Sequence, residues 1–241
     1  MNIMVVVSSQ PDILILNNAD ESIMNRSVTL VRRASSADAP LVVLNCFGDE
    51  GEAVAQELDK LVDHPYSLLA ITVSEWNIDL SPWKAPAVFK GEPDFGCGAD
   101  EYISELVNDI VPSVCSSNCL KPHAIYIAGY SMAGLFALYS LYKTDRFAGA
   151  TSCSGSLWFP GFTGYVHEHG FTSATSKIYL SLGDREAKTK NPVMATVEDN
   201  TRDIAELYSS QGYDVLFELN QGGHFNDHAL RTAKGIAWML K

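Results

Sequence analysis

Ser131 is the residue of this sequence best placed to act as a nucleophile. An apolar, β-forming stretch leads up to Gly129 and passes through Ser131 directly into a helix-forming sequence. At so sharp a turn, a serine side chain stands exposed at the carboxyl end of the strand. Gly129 and Ala133 are small enough to let strand and helix approach closely, although the usual pattern has glycine in place of Ala133. The alternative is a glycine-containing turn with a solvent-facing serine.

A serine nucleophile needs a base, and the base needs an acid to orient it. His224 follows two glycines after the last apolar strand, and this is where a base is expected in the order serine, acid, histidine. Two carboxylates compete for the role of acid after the preceding strand. Glu186 is the first choice because the turn must travel beyond the strand end, and Asp184 is the alternative. His228, one helical turn after His224, is expected to be a surface or capping residue.

The oxyanion of a tetrahedral intermediate needs N–H donors. One is expected to be the backbone N–H of Met132, directly after the serine. The second is expected in the loop after the strand Leu41–Cys46, from Phe47 or Gly48. These assignments depend on position alone, because a backbone N–H has no side-chain signature.

Trp76 and Trp158 follow strands at the same predicted edge, and we expect them to line a substrate pocket. The alternative is that they cover the core at the bases of loops.

His167 and His169 are interpreted as solvated rather than as a metal pair. Five cysteines without framework spacing favour reduced thiols in a cytoplasmic protein, and a zinc site is not expected.

The elements that must position these residues alternate between strands and helices. Such alternation predicts a mostly parallel, doubly wound sheet whose site lies at the carboxyl ends of the strands. The N-terminal strands show two-residue alternation and short connections, which predicts an antiparallel start. The predicted strands are Met4–Ser8, Asp12–Asn17, Ser27–Arg33, Leu41–Cys46, Leu68–Val73, Ala124–Gly129, Phe147–Ser152, Lys177–Leu182 and Val215–Leu219; helices are predicted near Glu52–Val62, Ala99–Val111 and Asp227–Leu240.

Composition limits the classes of partner. The 241 residues carry a formal charge of −12, which argues against nucleic acid and anionic membranes as partners. No apolar run reaches membrane-spanning length, and the N-terminus resembles a strand more than a signal peptide. No linker or repeat divides residues 1–241, so a single domain is expected. Homo-oligomer formation stays open, because an edge of the N-terminal strands could pair with another chain.

Four motifs resemble the α/β-hydrolase superfamily, specifically the esterase branch with enterochelin esterases, S-formylglutathione hydrolases and mycolyl transferases. They are Gly129–Gly134, Ser154–Trp158, Gly183–Glu186 and Gly222–Phe225. The resemblance implies an α/β-hydrolase fold that acts on carboxylic esters or thioesters without a metal or organic cofactor. It also implies that Ser131 is the nucleophile, His224 the base, and Glu186 or Asp184 the acid. The chain departs from the pattern at Asn45-Cys46, where many hydrolases have His-Gly.

Three functions are compatible with this interpretation of Ser131, His224 and the carboxylate. The first is a serine carboxylic-ester hydrolase that works through an acyl-enzyme on a small-molecule ester. The second is an acyltransferase with the same triad, and the third is a non-catalytic binding protein on a hydrolase scaffold. The segment Trp158–Ser176 is too short for a large lid. An open pocket of this kind favours small or polar-headed esters.

Overall fold

A seven-stranded sheet forms the centre of the fold. The computed structural model describes residues 26–172 and 177–241. In the described residues the strand order is β1-β3-β2-β4-β5-β6-β7, and every neighbouring pair is parallel except β1 with β3. The strands are β1 Ser27–Arg32, β2 Leu41–Cys46, β3 Ser67–Thr72, β4 Ile125–Tyr130, β5 Gly149–Cys153, β6 Lys177–Gly183 and β7 Asp214–Asn220. The prediction of a mostly parallel sheet with an antiparallel start is therefore confirmed, while the strands predicted before residue 26 lie outside the described residues.

Helices cover both faces of this sheet. They are α1 Gly51–Leu58, α2 Trp76–Asp79, α3 Ala99–Glu105, α4 Val111–Ser117, α5 Met132–Lys143, α6 Phe162–Glu168, α7 Val197–Ser210 and α8 His228–Met239. The first predicted helix, Glu52–Val62, ends earlier than expected, at Leu58. After Leu58 the chain tightens into a turn in which the Leu58 carbonyl accepts hydrogen bonds from both Leu61 and Val62, and Leu61 is exposed.

The second predicted helix, Ala99–Val111, is shorter than the helical segment that the structure shows. It was expected to stop at Val111, before Pro112, but helical structure continues to Ser117. A π-helical turn at Leu106–Ile110 precedes the proline, which then falls in the first turn of α4. Proline lacks an N–H and its ring crowds the preceding turn of a helix, so the wider π-helical turn lies where the regular hydrogen-bond ladder is interrupted.

Two apolar layers hold the sheet. All six residues of β2 are buried, as expected for a strand with helices on both faces. One layer packs against α5, whose residues from Met132 to Tyr142 are all buried. The other lies between the sheet and helices α1 and α8, with Leu58, Ala233 and Ile236 in its core. The turn between β4 and α5 is therefore fixed by packing on both sides.

The described chain carries no large insertion directly after β5. After β5 the described chain adds only the seven-residue helix α6 before residue 172. Within the described parts of the chain, no helix is both long and apolar enough to cross a membrane.

Candidate active site

Ser131 occupies the strained turn between β4 and α5. Its backbone has φ 58° and ψ −124°, a conformation that costs a residue with a side chain about 1–3 kcal/mol. The turn is held from β5 and the loop after it, because Ser131 N–H donates to the Cys153 carbonyl and Ser156 N–H donates to the Ser131 carbonyl, both at 3.0 Å. A Cβ on Gly129 would lie 2.4 Å from backbone atoms of Ala133, so only glycine permits this approach. The turn predicted from the sequence is present, with Ala133 in the position that is usually glycine.

Glu186, and not Asp184, is the carboxylate that contacts His224. His224 Nδ1 lies 2.7 Å from Glu186 Oε2, and the Glu186 side chain is 5% exposed. Asp184 Oδ1 instead accepts the Gly222 N–H at 2.8 Å, and the Asp184 side chain is 42% exposed. The two carboxylates thus have different positions: Glu186 orients the imidazole, and Asp184 fastens the loop that carries it.

The surroundings of Glu186 favour its ionised form. Burial by itself would raise the pKa of this carboxyl. Hydrogen bonds from His224, from the Ser154 hydroxyl at 2.7 Å and from the Gly183 N–H at 2.6 Å outweigh burial, and the pKa of Glu186 lies below its usual value. An ionised Glu186 keeps the imidazole proton on Nδ1, so that Nε2 is free to accept a proton.

Arg231 of α8 is buried beneath this pair. Its side chain is 2% exposed, and Nη1 lies 3.4 Å from Glu186 Oε1. The guanidinium also donates to the carbonyls of Gln221 at 2.9 Å and Gly223 at 3.1 Å, in the loop that leads to His224. A further contact, at 3.4 Å, joins Nη1 to the Ser154 hydroxyl. The Arg231 side chain therefore ties together Glu186, the loop that carries His224 and the loop after β5.

Sequence reasoning did not identify Arg231 or Ser154 as site residues. A lone arginine in an amphipathic helix is normally solvent-facing, so no signal marked Arg231. Ser154 is the first residue of the motif Ser154–Trp158. Its positive φ of 42° makes it a second constrained position, close to the turn between β4 and α5. Neither the burial of Arg231 nor the backbone angle of Ser154 can be inferred from residue type.

Tyr130 connects β4 to the loop that carries His224. Its hydroxyl donates to the His224 carbonyl at 2.6 Å, and its ring lies 5.4 Å from the imidazole, centroid to centroid. Burial raises the pKa of Tyr130 to about 12, so this hydroxyl keeps its proton and remains a donor at neutral pH. His228 packs edge-on against the same ring at 6.1 Å and lines the cavity. His228 is exposed at the start of α8, as the sequence predicted, and it also lines the cavity.

The predicted oxyanion donors lie at the ends of β2 and β4. Met132 is the first residue of α5, where a backbone N–H has no acceptor within the helix. Phe47 lines the same cavity as Ser131, and its N–H donates to Glu50 Oε2 at 3.3 Å. The Gly48 carbonyl accepts a hydrogen bond from the Thr72 hydroxyl at 3.2 Å. An oxyanion that used the Phe47 N–H would have to replace the Glu50 carboxylate.

A cavity of about 620 Å³ opens in front of Ser131 and His224. Trp76 and Trp158 both line it, as the sequence predicted, and so does Ser156, whose hydroxyl is 3.3 Å from that of Ser131. The remaining fourteen lining residues include six from the segment between α2 and α3. The fourteen are Phe47, Glu50, Asn77, Ala87, Val88, Phe89, Glu92, Pro93, Phe95, Tyr130, Met132, Met194, Phe225 and His228.

The described residues offer no cluster of three or more His, Cys, Asp or Glu side chains arranged to hold a metal ion. His167, one of the two histidines considered as a metal pair, instead pairs with Asp203 at 2.7 Å. The cavity itself presents the Ser131 hydroxyl, the His224 imidazole with the Glu186 carboxylate, and the backbone N–H of Met132.

Comparison with known proteins identifies the family. A family model described as "Putative esterase" matches residues 69–228, which is more than half of the chain. The chain belongs to this family, an esterase branch of the α/β-hydrolases. A curated relative, the uncharacterized protein YbbA of Bacillus subtilis (strain 168), is 22% identical over 138 residues. That match covers 56% of this chain and 55% of YbbA, so the chain spans about half the length of this relative.

Solved structures show the same fold. The siderophore hydrolase EstA from Aspergillus nidulans is 19% identical, with a TM-score of 0.69 and 89% of each chain covered. An IroE-like serine hydrolase from Shewanella oneidensis is 18% identical, with a TM-score of 0.73 and coverage of 89% of this chain and 75% of that one. Family and fold together support the expectation of a carboxylic-ester hydrolase.

Proposed function

We propose that this protein is a serine carboxylic-ester hydrolase that works through an acyl-enzyme on a small-molecule ester. The observation that carries the proposal is the 2.7 Å contact between His224 Nδ1 and buried Glu186, at the rim of the cavity that Ser131 lines. A base oriented in this way, lining the same cavity as a serine in a strained turn, supports acyl transfer.

In the proposed reaction Ser131 Oγ attacks the ester carbonyl carbon while His224 Nε2 takes the hydroxyl proton. Glu186 accepts the Nδ1–H and stabilises the imidazolium. The Met132 N–H, with that of Phe47 or Gly48, would bind the oxyanion, each donor lowering the barrier by about 3–4 kcal/mol. The C–O bond to the alcohol then breaks and the alcohol leaves with the proton from His224. Water, activated in the same way, releases the acid and restores Ser131.

Matched isosteric variants test the assignment of the acid. Glu186→Gln should lower kcat for 4-nitrophenyl acetate by about 10³–10⁴-fold, because an amide can hold the wrong imidazole tautomer. Asp184→Asn changes a carboxylate of the same loop that does not contact His224, and it should keep kcat within a few-fold. Equal losses in both variants, or none in Glu186→Gln, would contradict the assignment.

The nucleophile is tested without knowledge of the natural substrate. A fluorophosphonate should label Ser131, as identified by peptide mass spectrometry, and Ser131→Ala should abolish both labelling and ester turnover. Ser210→Ala, at an exposed serine of α7, is the matched control and should change neither. A folded protein in which Ser131 resists labelling would favour a binding protein on a hydrolase scaffold. Ester product formed only when an acceptor alcohol is added would identify an acyltransferase.

A further inference from the structure

The two formally charged side chains that line the cavity are both carboxylates. Glu50 and Glu92 line it, and no lysine or arginine is among its described lining residues. Lys90 belongs to the same segment as Glu92, but it is exposed and does not line the cavity. Arg231, beneath the acid–base pair, is 2% exposed and is already engaged by Glu186 and two carbonyls. A substrate group in the cavity therefore meets carboxylates without a compensating cation.

The walls are aromatic. Trp158 packs against Phe95 at 6.0 Å, and Trp76 packs against Phe47 at 5.3 Å, centroid to centroid. Aromatic walls favour a flat apolar group, and tryptophan faces also attract cations. Neither property offers an anion any compensation for lost hydration.

The two carboxylates are held in different ways. Glu50 is partly buried and accepts the Phe47 N–H at 3.3 Å, which fixes it beside the predicted oxyanion site. Glu92 is exposed, on a segment that Asn191 fastens through a 2.7 Å hydrogen bond to the Val88 carbonyl. Because solvent screens Glu92 more strongly, Glu50 should exert the larger electrostatic effect.

We infer that the ester group entering this cavity is aromatic or apolar, is neutral or cationic, and is selected against negative charge by Glu50 and Glu92. The inference rests on the proposed function, since it specifies the substrate class of the same site. It names a charge class that neither the net charge of the chain nor the family determines.

Two isosteric pairs of substrates isolate charge from shape. Phenyl acetates with a meta trimethylammonio or tert-butyl group form the first pair, and those with a meta carboxylate or carboxamide form the second. Values of kcat/KM are divided by the rate of hydroxide-catalysed hydrolysis to remove differences in intrinsic reactivity. At low ionic strength the cation should match or exceed its neutral partner, and the anion should be about tenfold poorer than the amide. Addition of ~1 M salt should bring the ratio of corrected kcat/KM values within each pair closer to one.

Three variants assign the effect to the carboxylates. Glu50→Gln and Glu92→Gln should each reduce the discrimination against the carboxylate ester by a few-fold, with the larger change in Glu50→Gln. Asp63→Asn removes the same charge from an exposed loop residue that does not line the cavity, and it should leave the ratios unchanged. A preference for the anionic ester, or equal ratios in wild type and both glutamine variants, would overturn the inference.

A binding measurement separates this inference from the proposed function. In Ser131→Ala, quenching of the fluorescence of Trp76 and Trp158 by the four corresponding phenyl ketones, which cannot be hydrolysed, should give the same order of affinities. That order in Ser131→Ala, together with a folded wild-type protein that hydrolyses none of the four esters, would leave the inference standing and refute the proposed function. Esterase activity with the reverse order of affinities would refute the inference and leave the function standing.

Discussion

Replacing Arg231 with methionine removes the charged group that fastens the His224 loop while keeping a long, apolar side chain. Its two shortest hydrogen bonds, to the carbonyls of Gln221 and Gly223, measure 2.9 and 3.1 Å. A hydrogen bond that involves a charged group contributes about 1.5–3 kcal/mol. Removing one partner of a buried ion pair, here with Glu186, costs about 3–5 kcal/mol. Because these effects overlap, we expect Arg231→Met to lower the free energy of unfolding by about 3–5 kcal/mol.

Urea unfolding and steady-state kinetics on the same samples measure this effect. Arg231→Lys keeps the charge but cannot reach both carbonyls in the same geometry, so its loss of stability should be about half as large. Arg202→Met is the matched control, since Arg202 forms an exposed pair with Glu198 at 2.8 Å. Exposed pairs of this kind contribute at most about 1 kcal/mol.

Kinetics distinguish a positioning role from a purely structural one. If Arg231 positions the base, kcat of the folded Arg231→Met protein should fall about 10–100-fold with little change in KM, since a displacement of about 1 Å can cost 10²-fold. A stability loss with unchanged kcat in folded protein would mean that Arg231 only supports the fold. Unchanged stability would refute the reasoning from burial and hydrogen bonding altogether.

Two further predictions follow from the site. Ser131→Gly should be about 1 kcal/mol more stable than Ser131→Ala in urea unfolding, because glycine relieves the positive φ of 58°; equal stabilities would show that the turn is not strained. The pKa of Glu186 is lower in the folded protein than in the unfolded chain, where it is about 4.3. Ionised Glu186 therefore stabilises the fold fully above the unfolded pKa, and this stabilisation is lost as the pH falls through the lowered folded value. The stability difference between wild type and Glu186→Gln should therefore be constant near neutral pH and shrink below about pH 4; a difference that grew on acidification would contradict this sign.

The sequence allowed prediction of the features that depend on local pattern. Continuous apolar strands such as Leu41–Cys46 predicted the parallel sheet. Gly129 and the helix-forming residues after Ser131 predicted the turn between β4 and α5. Position after the last strand was enough to single out His224. The contact between His224 and Glu186 is one that the sequence predicted only as the better of two alternatives.

The features that the sequence did not predict depend on long-range packing. Arg231 is four residues into a helix, and only the fold shows that this position faces the buried end of β6 rather than water. The cavity wall from Ala87 to Phe95 has no regular secondary structure apart from a single bridge between Ala85 and Phe95. The π-helical turn before Pro112 compensates for the proline and cannot be read from periodicity.

Under the proposed function, chain order determines when Ser131 would acquire its reactivity during biosynthesis. Ser131 and Glu186 precede β7, whereas His224 and Arg231 follow it, and α8 packs across β4, β5 and β6 and against α1. A ribosome-bound chain with strands up to β6 assembled would hold an inert serine, because the imidazole and its support have not yet been synthesised. Fluorophosphonate reactivity would therefore appear as the final step of folding, and it could time the docking of α8 in stalled nascent chains.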